Sequence, residues 1–117
     1  MNNPNPLYGA LGGDFVGSIH EWNNIKRKEF PLIDGRCKLT DDSILTMATA
    51  DAICSKMDYA ICYHRWGNPN PHRGYGGRFR KWLAEKEEDL ASYGSLGNGL
   101  AMRVSLVGFA FQTLMKY

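Results

Sequence analysis

At 117 residues, with 44% hydrophobic and 22% charged side chains, the chain can bury one sizeable core but is too short for two ordinary domains. A formal net charge of +2 excludes the strong field that obligatory binding to nucleic acid or an anionic membrane would use. The start, "MNNPNPLYG", has neither the basic segment nor the apolar core of a secretory signal, and the longest apolar stretch, "SLVGFAFQTLM", is too short and interrupted to span a bilayer.

In chain order, "LYGALGGDFVGSIHEW" spaces Leu7, Leu11, Phe15 and Ile19 by four, which predicts one helical face. Gly9, Gly12, Gly13 and Gly17 lower its propensity by up to ~1 kcal/mol each. Glycine at such density suits the close approach of another backbone or a ligand. Residues 23–39 read as a loop, punctuated by "NN", Pro31 and "DG". From 41 to about 63 the pattern is helical: Leu45, Ala48, Ala52 and Ile53 share a stripe, and no Gly or Pro intervenes. "WGNPNPHRGYGG" is a loop, and "RFRKWLAEKEEDL" is a charged surface helix with Phe79, Trp82 and Leu83 turned inward. A Gly/Ser turn, "SYGSLGNG", leads into a last helix whose Leu100, Val104, Val107, Phe111 and Leu114 form an apolar stripe expected to be buried. Alternating β patterns are nearly absent, so the expected fold is all-α, with about four helices in one domain over 1–117. The three cysteines, Cys37, Cys54 and Cys62, lack metal-ligand spacing. Free thiols in a reducing, cytoplasmic compartment are the expectation.

Three features carry possible chemistry. The acidic set Asp14, Glu21, Asp41 and Asp42 is centred on "KLTDDSILTM". Thr40-Asp41-Asp42 has two readings: a helix start, where side-chain oxygens cap free amides and negative charge suits the dipole, or oxygen ligands for a hard cation. Glycines 94, 97 and 99, running into a helix, could offer amides to a phosphate or form a plain helix-entry turn. "HRGYGGRFRKW" interleaves Arg73, Arg78, Arg80 and Lys81 with Tyr75, Phe79 and Trp82, which suits single-strand nucleic acid or, equally, a solvated loop entering an amphipathic helix.

Together, "GALGGDFVGSIHEWNNIK", "FPLIDGRCKLTDDSILTMATADAI", "NPHRGYGGRFRKWL" and "GNGLAMRVSLVGF" occur in an order that resembles the N-terminal part of the ADP-ribosylglycohydrolase family, the group of dinitrogenase reductase-activating glycohydrolase. The likeness runs from about Gly9 to Phe109. It implies an all-α fold and metal-assisted hydrolysis of the bond between ADP-ribose and an acceptor side chain. By the same resemblance, Thr40, Asp41 and Asp42 would be ligands of a binuclear Mg²⁺ or Mn²⁺ centre. Glu21 would sit near the substrate ribose and Asp14 would match the Asp of the family's Gly-Asp element, both as catalytic residues. Gly97, Asn98, Gly99, Met102 and Arg103 would lie against the diphosphate of ADP-ribose.

Two departures shape the remaining expectations. Family members are longer and complete the metal centre with a later Asp-x-Asp-Thr motif, which this sequence lacks, and Leu106 stands where Pro is usual. A shortened helical domain is expected to expose an apolar face, covered by a second copy, by a protein partner or by repacking. The functional alternatives are therefore an ADP-ribosyl hydrolase and a non-catalytic binding or regulatory protein, such as a mobile-element inhibitor. Neither a membrane nor nucleic acid is expected as a partner.

Overall fold

Side-chain caps set where the main helices begin. In the computed structural model, which describes residues 5–111, Asn5 accepts a hydrogen bond from the Leu7 amide and opens helix α1 (Pro6–Gly17), with proline at its first position. Thr40 Oγ1 accepts from the Asp42 amide at 3.3 Å and opens α2 (Asp41–Ser55). Asp58 Oδ1 accepts from the amides of Ala60 and Ile61 at 2.8 and 3.2 Å and opens α3 (Tyr59–Gly67). There follow α4 (Gly77–Leu83), a 3-10 turn (Glu87–Asp89), α5 (Gly99–Arg103) and α6 (Ser105–Ala110). No strand occurs among the described residues, and the fold is all-α.

The helix expected over 41–63 is two helices. Lys56 adopts the left-handed conformation at φ 54°, ending α2, and the Asp58 cap restarts the chain as α3. A short cap-rich break therefore replaces the Gly or Pro that usually marks one. The charged helix expected over 78–90 ends at Leu83, because the amides of Ala84 and Glu85 bond back three residues, to Lys81 and Trp82. The chain then turns so that Glu87 reaches Arg65 of α3 at 2.8 Å and the Trp82 indole donates to the Ala91 carbonyl at 2.9 Å.

Helix α2 lies at the centre and packs against α1, α3, α5 and α6. Its Ile44 and Leu45 join Tyr75, Trp82 and Leu83 in the main core, with Met47, Tyr63, Trp66 and Phe79 packed alongside. Ala48, Ala52 and Cys62 form a second cluster where α2 meets α3. The expected inward face of Phe79, Trp82 and Leu83 is present, with Phe79 half-buried.

The last helix departs from expectation. It is interrupted at Val104, which closes α5 and opens α6, so the four-and-three stripe loses its register. Leu106 is the buried apolar residue of this region, whereas Leu100 is 65% exposed, Phe109 60% and Phe111 51%. Val107 is half-buried, and Leu114 lies outside the described residues. The glycines of α1 also differ from the close-approach expectation. Among the described residues a Cβ on Gly9, Gly12, Gly13 or Gly17 would meet nothing within 4 Å, so no described backbone needs them.

Candidate functional site

The start of α2 is held from two sides. From α1, Asp14 accepts three hydrogen bonds: from the Thr40 amide at 2.8 Å, the Thr40 hydroxyl at 2.6 Å and the Ser43 hydroxyl at 2.5 Å. From the loop before α4, the Arg73 carbonyl accepts from the Asp41 amide at 2.8 Å, and Arg73 Nη1 donates to the Leu39 carbonyl at 3.1 Å. Both contacts satisfy amides at the first turn that α2 itself leaves unpaired. Where this loop passes the Asp41 carboxylate, Gly74 takes φ 100°, a backbone conformation open to glycine and strained for other residues; an added Cβ would itself make only ordinary contact with Asp41 Oδ1, at 3.5 Å.

Fixed in this way, Asp41 and Asp42 are half-buried at the edge of a cleft of about 410 Å³. Glu21, Gly97, Asn98, Gly99 and Arg103 line the same cleft, so residues from three separate sequence segments meet there. An adjoining cavity of about 500 Å³ is bordered by Asp14, Glu21, Asp42, Asn98 and Met102, together with Gly13 and Gly17 of α1. Thr40 is buried and lines neither cavity. Its hydroxyl donates to Asp14 and accepts from the Asp42 amide, leaving one lone pair uncommitted.

Electrostatics sharpen the picture. Burial, then the adjacent Asp42 charge, pushes the Asp41 carboxyl up to about 6. Burial, then the Asp14 charge, also raises Asp42. The ion pairs among the described residues are Arg36–Asp34 and Arg65–Glu87, and neither compensates these two carboxylates. Arg103 is the cation whose charge opposes both shifts. It is positioned by donating from Nε to the Gly99 carbonyl at 2.9 Å, and a Cβ on Gly99 would lie 2.7 Å from its Nη2.

The donor set fits one hard cation better than two. Two carboxylates from consecutive residues, completed by water, suit a single Mg²⁺-like ion. The described residues contain no group of three His, Cys, Asp or Glu side chains placed to hold a metal ion, so they do not complete a binuclear centre.

Sequence reasoning missed two features. Thr40, Ser43, Thr46 and Thr49 form a buried polar ladder along α2, in which Thr46 and Thr49 donate to the carbonyls of Asp42 and Leu45 at 2.6 and 2.8 Å. The signal was present as Ser or Thr at every third position. The basic-aromatic segment divides its duties structurally: Tyr75 and Trp82 are buried in the core, and Arg73 braces α2. Buried rings have no face to offer a nucleic-acid base.

Comparison with known proteins bears on the family of the chain. The chain is 28% identical to the ADP-ribosylhydrolase ARH3 of Xenopus tropicalis over 134 aligned positions, covering 90% of this chain and 38% of that protein. The chain thus spans little more than a third of that relative's length. No solved structure matches it. The sequence model described as ADP-ribosylglycohydrolase matches residues 6–116, and on that match the chain belongs to the ADP-ribosylglycohydrolase family.

Proposed function

We propose that the cleft at the start of α2 binds an ADP-ribosyl group together with one divalent cation, Mg²⁺ or Mn²⁺. The observation that carries this reading is the pair Asp41 and Asp42: two half-buried carboxylates, raised by burial, facing a cleft without an ion-pair partner among the described residues. A hard cation relieves that repulsion, and the remaining lone pair of Thr40 Oγ1 can join its ligands. When bound, such an ion supplies orientation of the ribose hydroxyls and polarisation of the bond to the acceptor.

The chain's own residues then divide the remaining work. Glu21 borders both cavities, which supports a role in taking or giving a proton at the ribose. Asp14 holds Thr40 and Ser43, so its role is positioning as much as chemistry. Helix α5 has only five residues, so the counter-charge for a diphosphate is Arg103 rather than a helix dipole. Gly97, Asn98, Gly99 and Met102 frame that group. Incubation with Mg²⁺ or Mn²⁺ and ADP-ribosylated arginine tests hydrolysis. Release of ADP-ribose that is lost in the Asp41→Ala/Asp42→Ala variant supports it, and release no greater than in that variant overturns it.

A second reading, a non-catalytic binding or regulatory protein, is favoured by the exposed apolar residues Leu100, Val104, Phe109 and Phe111. A second copy or a protein partner would cover that face. Light scattering that shows a monomer at all concentrations, with no binding of an apolar-surface dye, counts against it. The packing of α1, α3, α5 and α6 on one central helix supports a single domain over 1–117. The free cysteines Cys37, Cys54 and Cys62 suit a cytoplasmic setting. No described helix is long and apolar enough to cross a membrane.

A further inference from the structure

The chain between α1 and α2 is a closed loop rather than a slack connection. Its base is pinned where the Lys38 amide donates to Ser18 Oγ at 3.0 Å and the Thr40 amide to Asp14 at 2.8 Å. Within it, the His20 and Phe30 rings meet edge to face at 5.2 Å. Asp34 accepts from the Arg36 guanidinium through its carboxylate and from the Cys37 amide through its carbonyl. These contacts leave a recess of about 440 Å³ bordered by His20, Asn23, Ile25, Arg27, Phe30 and Arg36. We propose that this loop is the docking surface for the acceptor protein that carries the ADP-ribosyl group, and that it takes a segment in which acidic side chains stand beside an apolar one; the inference rests on the reading above.

Charge is the first reason. Lys26, Arg27, Lys28, Arg36 and Lys38 stand in this loop against Glu29 and Asp34, although the whole chain carries only +2. Arg36 pairs with Asp34, whereas Lys26, Arg27 and Lys28 are in no ion pair among the described residues. Arg27 borders the recess, and its planar donor fork suits a carboxylate that enters there. The second reason is apolar surface set among those charges. Trp22 is 87% exposed, Leu32 63% and Ile33 71%. A merely solvated charge run needs no such residues, and these flank in sequence the residues that border the recess. Apolar and aromatic contacts inside a polar rim are the anatomy of a protein–protein interface.

Position ties the loop to the acidic cleft. Glu21 borders that cleft and stands in the chain between His20, of the recess, and the exposed Trp22. A protein whose modified side chain enters the cleft at Glu21 therefore meets the loop with the residues that flank the modification. An anionic membrane fits less well. A recess admits a side chain but offers little to a flat lipid surface, and Glu29 and Asp34 add repulsive charge.

The test uses free ADP-ribose and two labelled peptides ADP-ribosylated on arginine, one flanked by Glu and Leu and the other by Gly and Ser. Calorimetry in Mg²⁺ reads the first, and fluorescence anisotropy immediately after mixing reads the peptides. The proteins are the wild-type chain, Arg27→Gln/Lys28→Gln and Leu32→Ser/Ile33→Ser, whose four positions are exposed and line neither the acidic cleft nor its adjoining cavity. The wild-type chain is expected to bind the Glu/Leu peptide about tenfold tighter than the Gly/Ser peptide, a preference that shrinks as salt rises. Arg27→Gln/Lys28→Gln should lose the preference and Leu32→Ser/Ile33→Ser should reduce it, with free ADP-ribose bound as in wild type. Equal binding of the two peptides by the wild-type chain, or a preference that both variants keep, overturns the docking surface and leaves the acidic-cleft reading standing. Sedimentation with phosphatidylserine vesicles, lost in both variants and without any peptide preference, assigns the loop to a membrane surface and overturns it as well. Failure of free ADP-ribose and both peptides to bind the wild-type chain overturns both readings.

Discussion

Substituting Asp14 with alanine tests how the acidic cleft is built. In the folded chain its carboxylate accepts from the Thr40 amide, the Thr40 hydroxyl and the Ser43 hydroxyl, all at 2.5–2.8 Å. Thr40 and Ser43 are buried, at 5% and 1% exposure, so both hydroxyls would lose an ionised acceptor inside the protein. Hydrogen bonds to charged groups contribute roughly 1.5–3 kcal/mol each, and an orphaned buried group costs roughly 1–3 kcal/mol. Asp14 is only half-buried, and water can replace part of what it supplies. The expected loss is therefore about 3 kcal/mol, a large share of the ~5–15 kcal/mol typical of a domain. Urea unfolding followed by circular dichroism measures it. A second readout follows from charge: after burial, Asp14 is the main cause of the raised Asp42 value, so Asp42 should titrate lower in the variant. A stability loss below about 0.5 kcal/mol, or an unmoved Asp42 titration, would refute Asp14 as the brace of this helix start.

Asp41 has a folded value near 6 against 3.8 for the unaffected side chain, so its contribution to stability is present below pH 4 and is lost as pH rises through 6. Asp41→Asn should accordingly stabilise the metal-free chain by about 1 kcal/mol at pH 7.5, after allowance for its half-exposed position, and by nothing at pH 4, as urea midpoints would report. Gly74→Ala forces a side chain into a left-handed conformation beside the Asp41 carboxylate; it should cost about 1–3 kcal/mol in the same assay. Gly99→Ala presses a methyl group against Arg103 Nη2, the movable end of a long side chain. Its melting temperature should stay near wild type while ADP-ribose affinity falls, a split that calorimetry alongside thermal unfolding would reveal.

Much of this arrangement was legible in the chain. Thr40 as a cap, α2 beginning at Asp41, and Phe79, Trp82 and Leu83 turned inward follow from local pattern. Glu21, Asp41, Asp42, Gly97, Asn98, Gly99 and Arg103 line one cleft because the ordered motifs that carry them fold around α2. What was not legible depended on tertiary partners. The break at Lys56 is a left-handed cap on a residue that rarely takes that form, and only the Asp58 side chain hinted at it. The positioning role of Asp14 rests on the hydroxyls of Thr40 and Ser43, far along the chain, which bond it and which no local pattern brings near. The stripe of the last helix had the right period and the wrong burial, since interruption at Val104 leaves Leu100 and Phe111 outside. The cleft lined by Tyr59, Tyr63, Phe79, Trp82 and Tyr93 draws its rings from α3, α4 and the loop carrying Tyr93, a proximity that no local pattern announces.

Isothermal titration of ADP-ribose, with and without Mg²⁺ or Mn²⁺, into the wild-type chain and an Asp41→Asn/Asp42→Asn variant addresses the carboxylate pair most directly. Cation-dependent binding by the wild-type chain, weakened at least about tenfold in the variant (roughly 1.4 kcal/mol), is the expected outcome. ADP-ribose binding that ignores both the cation and the loss of the two carboxylates, or no binding under any condition, would contradict the assignment of this cleft.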